Sequence, residues 1–335
     1  MAAAAEAGIH RLRIPTPFAV GRVNCYLIED SPLTLLDTGP NSGKSLDELQ
    51  HQLEDAGHAI EDLELILISH QHIDHLGLVE ILVSRSGAEV AAIDVLAPFV
   101  ERFEEDMERD DEFASSLMRR YGIPDDLTIA LRSVSRSFRA WGSRAHVTRR
   151  LRDGERMSFA QRTLEVQLRP GHSPSDTLFW DEERRLLLCA DHLIAHISSN
   201  PLLARPLDDG EERPKSLVTY LDSLAKTREL PAEVLLPGHG EPVTDHVTLI
   251  DERFEMHRRR ATKLQRLIAE RSRTAYELAQ ELWGNVAVTQ AFLTLSEVVG
   301  HVDLLIEAGI VREVADGEIV RFEATGLDGA VTIPP

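Results

Sequence analysis

The stretch Ile68-Ser69-His70-Gln71-His72-Ile73-Asp74-His75-Leu76 puts three imidazoles and one carboxylate into six positions, directly behind the apolar run Leu63-Glu64-Leu65-Ile66-Leu67-Ile68. An apolar run of this kind reads as a buried strand, so the polar residues fall at its end, where the chain turns. A helix beginning near Leu76 then lets strand end, turn and first helical residues converge on one point. Imidazole and carboxylate are ligands for zinc and neighbouring divalent ions. A solvated histidine-rich loop is the bland alternative, but such a loop needs no fixed H-x-H-x-D-H spacing.

One loop cannot complete two metal sites, so further His and Asp residues are expected at strand ends downstream. Pro170-Gly171-His172-Ser173 follows Leu164-Glu165-Val166-Gln167-Leu168, Asp191-His192 follows Leu186-Leu187-Leu188-Cys189-Ala190, and Pro237-Gly238-His239-Gly240 follows Val234-Leu235-Leu236. Each polar residue closes an apolar strand.

The H-x-H-x-D-H motif followed by H, D and H in that order resembles the metallo-β-lactamase superfamily, over roughly residues 9–245. The resemblance implies an α/β fold, a four-layer αββα sandwich. Carried over residue by residue, it implies that His70, His72 and His172 hold a first metal, that Asp74, His75 and His239 hold a second, and that Asp191 bridges them. Two divalent ions, zinc first with iron or manganese admissible at the second site, would share a hydroxide that acts as the nucleophile. Asp74 would be the catalytic residue that orients it and collects its proton. Asp37, closing the strand-like Leu33-Thr34-Leu35-Leu36, resembles the family's aspartate that orients a ligand; a plain strand-ending carboxylate is the alternative. A bridging aspartate resembles the hydroxyacylglutathione hydrolase, lactonase and ribonuclease branches, which disfavours antibiotic hydrolysis. His72 stands where the flavodiiron oxygen reductases have glutamate, which disfavours that redox chemistry.

Along the chain, residues 1–8 read as a loose tail. Ile9 to Ile14, Arg22 to Ile28 and Leu33 to Gly39 form a meander of short strands, and Leu46, Leu49 and Leu53 mark a helix over 45–56. After the motif, 77–85 reads as helix and Glu89 to Ile93 as strand. Residues 95–141 are a charged helical insertion with Phe99, Phe103, Met107, Phe113 and Leu117 at helical intervals. It is either a surface hairpin or a lid over the metals supplying an apolar pocket. Strands return over 146–169 and at Thr177 to Trp180, and His196 lies in a loop that runs near the metals, as a substrate contact or a satisfied surface histidine.

From about Asp245 the character changes, giving two expected domains, 1–245 and 246–335. A long charged helix over 248–271, helices over 276–282 and 293–308, and a hairpin around Asp316-Gly317 resemble a smaller α+β winged-helix-like domain. Winged helices often bind DNA, yet the span from Ala287 to Val311 holds no Lys or Arg and contains Glu297, Asp303 and Glu307. With a formal net charge of −20, nucleic-acid partners are disfavoured. The domain is expected to form a wall of the substrate pocket or a homo-oligomer contact. The run Arg258, Arg259, Arg260, Lys263 and Arg266 is either a solvated face paired with Glu or a handle for a phosphate-bearing substrate.

No signal-peptide pattern or membrane-length apolar stretch occurs, so a cytoplasmic protein without membrane contact is expected. Cys25 and Cys189 lie in apolar strand-like runs and read as buried thiols. The reaction expected first is hydrolysis of a small-molecule thioester or ester. Phosphodiester or RNA cleavage, lactone hydrolysis, and a low-turnover ligand-binding role on the same fold are the alternatives.

Overall fold

The computed structural model describes residues 2–206, 211–286, 290–327, 329 and 331–333. Six strands lie side by side in chain order: β1 (Ile9–Ile14), β2 (Val23–Ile28), β3 (Thr34–Leu36), β4 (Leu65–Ile68), β5 (Glu89–Ile93) and β6 (Arg149–Leu151). The short loops after β1 and β2 give antiparallel pairs, whereas β3 to β6 are parallel. Parallel neighbours require crossovers. These are the helices Gly43–Asp55 and Val79–Ser86, and then the whole helical insertion, Ala97–Glu101, Phe103–Arg120 and Asp125–Phe138.

The second sheet runs β11 (Val234–Pro237), β10 (Leu186–Ala190), β9 (Thr177–Asp181), β8 (Thr163–Leu168), β7 (Arg156–Ser158). Its one parallel pair, β10 with β11, is joined through the helix Ser216–Arg228. Strand alternation sorts this sheet's residues into two cores. Phe179, Leu186, Leu188 and Leu236 join the core shared with the first sheet. Leu178, Trp180, Leu187, Cys189 and Leu235 point the other way, onto Leu217, Tyr220 and Leu224 of the Ser216–Arg228 helix and Ile250 and Phe254 of the helix His246–Glu270. Successive residues facing opposite layers are the period-two signature of a sheet buried on both sides. The result is the four-layer α/β sandwich, helices outside and two sheets within.

A third core joins parts far apart in sequence. Leu117, Met118, Tyr121 and Ile123 of the insertion pack with Leu203, with Leu264 and Ile268 of the long helix, and with Leu278, Val298, Val302 and Phe322 beyond it. The long helix starts at Asp245, whose side chain accepts the Thr248 N–H at 3.0 Å, and it runs through both the second and third cores. Helices Ala275–Trp283 and Ala291–Glu307 and the hairpin β12 (Val311–Asp316) and β13 (Ile319–Ala324) follow in the order expected. Ala287, at the start of the span without basic residues, lies outside the described residues.

The N-terminus differs from expectation. Residues Ala2–Glu6 form a helical turn rather than a loose tail, and Ala4 is buried in the first core. Four alanines favour a helix, but five residues are too short to hold one alone, so docking of Ala4 against the sandwich supplies what the length does not. Both cysteines are free and buried, as read from their strands. No helix among the described residues is long and apolar enough to cross a membrane.

Candidate metal centre

β4 ends at Ile68, the chain turns, and the short helix Ile73–Leu76 begins with His72 as its N-cap. His70, His72, Asp74 and His75 are thereby gathered at one sheet edge. His172 arrives from the loop after β8, Asp191 directly after β10, and His239 directly after β11. The structure brings all seven together. One ligand-capable atom each from His70, His72, His172 and Asp191 lies within 4.8 Å of the others, and the same holds for Asp74, His75 and His239. In the first group the Nε2 atoms of His70 and His172 lie 3.1 and 2.9 Å from His72 Nδ1. Asp191 faces both groups: one oxygen is 3.6 Å from His172 Nε2 and 3.5 Å from His239 Nε2, the other 3.4 Å from His75 Nε2.

The outward ring nitrogens fix the inward ones. His75 Nδ1 meets Asp37 Oδ2 at 2.8 Å, His70 Nδ1 meets Ser69 Oγ at 2.9 Å, His172 Nδ1 meets the Asn200 carbonyl at 3.1 Å, and His239 Nδ1 meets the Arg22 carbonyl at 2.9 Å. A proton held outward leaves the Nε2 lone pair facing the centre. Asp37 thus takes the orienting place, and it also accepts the Ser69 N–H and hydroxyl at 2.9 and 2.7 Å. Its φ of 59° is a left-handed conformation that Asp tolerates better than most residues, and Ala190, just before Asp191, is also left-handed at 42°.

Burial lowers the pKa of His70 and His72, the latter to about 3, so both rings are neutral, the form that ligates metal. Burial also works against charging His75 and His239, but the facing carboxylates Asp191 and Asp74 outweigh it and hold His239 up to about 10. Burial would raise Asp74 and Asp191, yet the adjacent histidines keep both carboxyls below their ordinary range. The positive charge that His75 and His239 take up beside these carboxylates is what a divalent cation would supply in its place. His75 Nε2 and Asp191 Oδ1 are buried without a hydrogen-bond partner among the described residues. Orphaned polar atoms of this kind are costly unless a cation lies between them, and the donor set fits divalent ions.

Sequence reasoning did not find Gly238 as a site residue. A Cβ there would fall on Asp191 Oδ1 and 2.8 Å from His75 Cε1, so only glycine lets β11 pass this close to the centre. Nor did it find the contacts made by the strap over 198–205. In this segment Asn200 binds His172 through its carbonyl and the Leu293 carbonyl through its amide at 3.0 Å; Leu203 N–H donates to Ser296 Oγ at 3.2 Å, and Arg205 grips Asp106 and Asp110 at 2.5 and 2.6 Å. The Ser198-Ser199-Asn200-Pro201 run reads in the sequence as a loop near the metals, without these contacts. His196 is exposed beside Gly240 and is not among the residues lining the cavity over the cluster.

That cavity, of about 1040 Å³, opens on His72, Asp74, His172, Asp191 and His239. The helical insertion forms much of its roof, with Phe99, Met107, Phe113, Leu131 and Phe138, and Phe292 and Leu293 of the C-terminal part complete a wall. The basic run lies elsewhere. Arg258 pairs with Glu255 at 2.5 Å, and Arg260 pairs with Glu297 at 2.5 Å and stacks over Trp283.

Residues 19–239 match the family described as the metallo-beta-lactamase superfamily. A relative from Bacillus subtilis (strain 168), named "Probable metallo-hydrolase YqjP", is 33% identical over 312 residues, covering 93% of this chain and 96% of its own. A solved metallo-beta-lactamase family protein from Thermus thermophilus superposes with a TM-score of 0.76 at 26% identity, covering 95% of this chain and 98% of that one. A beta-lactamase domain protein from Burkholderia ambifaria superposes with a TM-score of 0.80 at 24% identity, covering 95% and 92%.

Proposed function

The chain belongs to the metallo-beta-lactamase superfamily, and from that premise we propose that it is a binuclear metal-dependent hydrolase of carbonyl esters or thioesters. His70, His72 and His172 would hold one cation and Asp74, His75 and His239 the other, with Asp191 between them, zinc being the ion best suited to this mixture of nitrogen and oxygen. Bound divalent cations supply Lewis acidity there and acidify water.

The chain's own residues do the rest. Asp37, Ser69 and the carbonyls of Asn200 and Arg22 hold four imidazoles in one tautomer, so their lone pairs need no reorganisation. Asp74, the carboxylate named as base, lines the cavity and lies 3.3 Å from His239 Nε2. It takes the proton of the attacking water as the oxygen bonds to the carbonyl carbon. The C–O or C–S bond then breaks, and the proton goes on to the leaving oxygen or sulfur.

The observation that carries the choice of an acyl substrate is the cavity's lining: aromatic and aliphatic side chains from the insertion and the C-terminal part meet directly at the cluster. A polyanion would find no such need of apolar walls, and two members of the basic run that favours phosphate chemistry, Arg258 and Arg260, are engaged with Glu255 and Glu297. The test is a panel of acyl thioesters, aryl esters, bis-aryl phosphates and single-stranded RNA offered to the metal-loaded protein. Turnover of esters or thioesters is expected. Turnover of phosphates or RNA with none on carbonyl substrates overturns the reading, and inactivity throughout favours a binding role.

A further inference from the structure

The cavity is at the upper end of the roughly 300–1,000 Å³ that encloses a whole small ligand. Its apolar lining does not stop at the mouth. Val134 of the insertion, Ile197 of the loop after Asp191 and Leu293 of the C-terminal part all line it, and they are 50%, 38% and 41% exposed. Singly exposed apolar residues are ordinary, but these three come from three separate elements and line one cavity. Charged side chains of the lining are engaged in ion pairs: Arg205 with Asp106 and Asp110, Arg102 and Arg109 with Asp106, Asp111 with Arg139, and Arg132 with Glu108, Arg139 and Glu108 lying outside the lining. With these charges paired, the apolar side chains of the lining are left to the ligand.

We propose that this cavity binds the extended aliphatic chain of an amphiphilic acyl ester or thioester, with the carbonyl at the His/Asp cluster and the chain under the helical insertion. The proposal rests on the acyl-hydrolase reading above and names its substrate class. A short acyl group would leave most of the volume to water against apolar walls. Each methylene taken out of water tightens binding about fourfold, so a cavity of this size selects for length. The exposed rim favours a chain over a compact ring, because a ring enclosed within the cavity leaves Val134, Ile197 and Leu293 uncovered.

The experiment measures binding separately from turnover. Saturated fatty acids from butyrate to palmitate, with phenylacetate as the compact competitor, displace a polarity-sensitive dye from the full-length protein, both metal-loaded and chelator-treated. The expected result is an affinity rising about fourfold per methylene to a plateau, with the same slope in both preparations. Ala114→Trp, which fills the cavity from the insertion, is expected to move the plateau to shorter chains; Leu131→Trp is the second variant should the first fail to fold. No dependence on length, phenylacetate binding as tightly as decanoate, or a plateau unmoved by a folded cavity-filling variant overturns the proposal. Turnover of the matching acyl thioesters keeps the two readings apart. A length-dependent affinity without turnover leaves the chain site standing and sinks the hydrolase, whereas equal turnover of acetyl and palmitoyl thioesters with flat binding does the reverse.

Discussion

At the cluster, seven polar side chains are delivered by the ends of strands and one short helix, four of the imidazoles aimed by a neighbour's carbonyl, carboxylate or hydroxyl. Over the same cavity, the roof is built from two helices of the insertion, the 198–205 strap and a wall of the C-terminal part, with ion pairs tying these elements together. The sandwich fixes the cluster because sheet register leaves its strand ends no freedom. The roof depends on tertiary packing, since its helices share a core with residues more than a hundred positions away. Chemistry is thus assigned to the rigid part, and selectivity to the part whose packing can be altered without moving a ligand.

If that division holds, cluster variants lower turnover on every substrate alike and roof variants change only the preference among them. The largest effect is expected from Asp74→Asn, a loss of about 10²–10⁴ in kcat across the whole panel with the far-ultraviolet circular dichroism unchanged. Retained turnover removes Asp74 from the role of base. Asp191→Ala is expected to lower bound metal toward one equivalent, and unchanged metal content in that variant counts against a bridging carboxylate. Next come the supports. Asp37→Asn alters the partner of His75, and Gly238→Ala drives a methyl onto Asp191, so each is expected to weaken metal affinity about 10–100-fold, read by competition with a chromogenic chelator. A substrate-dependent loss in either variant breaks the comparison, because it gives a cluster residue the behaviour of the roof.

The same division decides what was legible in the sequence. Ligands closing apolar strands leave a local mark, so His70 to His75, His172, Asp191 and His239 all stand out in the chain alone, as do most strands to within a residue or two. The insertion was legible as helical because Phe103, Met107 and Leu117 recur at helical spacing. Its destination was not, since nothing local tells Leu117 and Tyr121 to pack on Phe322. Gly238 and the strap's hold on His172 were missed for a related reason. A glycine required by the absence of space, and a carbonyl that happens to reach His172, carry no sequence pattern of their own. The helical turn at Ala2–Glu6 went unseen because five residues, even with four alanines, are too few to hold a helix without docking.

The smallest expected effect lies beyond the cavity, in the C-terminal part, and separates stability from metal binding. His257 and His301 are fully buried between the helices His246–Glu270 and Ala291–Glu307, with His257 Nδ1 3.0 Å from His301 Nε2 and His301 Nδ1 2.6 Å from the Glu297 carbonyl. The His301 proton donated to that carbonyl leaves its Nε2 as acceptor for the His257 N–H, and His257 Nε2 has no partner among the described residues. Both rings fit the neutral form. Burial lowers the pKa of each; Arg260 adds to the lowering in both, and Glu297 opposes it at His301. The unfolded chain therefore takes up protons below its ordinary histidine pKa that the folded chain refuses. The stabilisation is complete above that value and declines as pH falls below it, by at most about 1.4 kcal/mol per pH unit for each histidine. Urea unfolding of the wild type and of His301→Gln across this range isolates the pair from the metal ligands, because the ligands' contribution is common to both. The difference in stability between the two proteins is expected to shrink toward acid pH. Parallel pH profiles mean that the pair is already protonated in the folded state, and the tautomer chain drawn from its hydrogen bonds then fails.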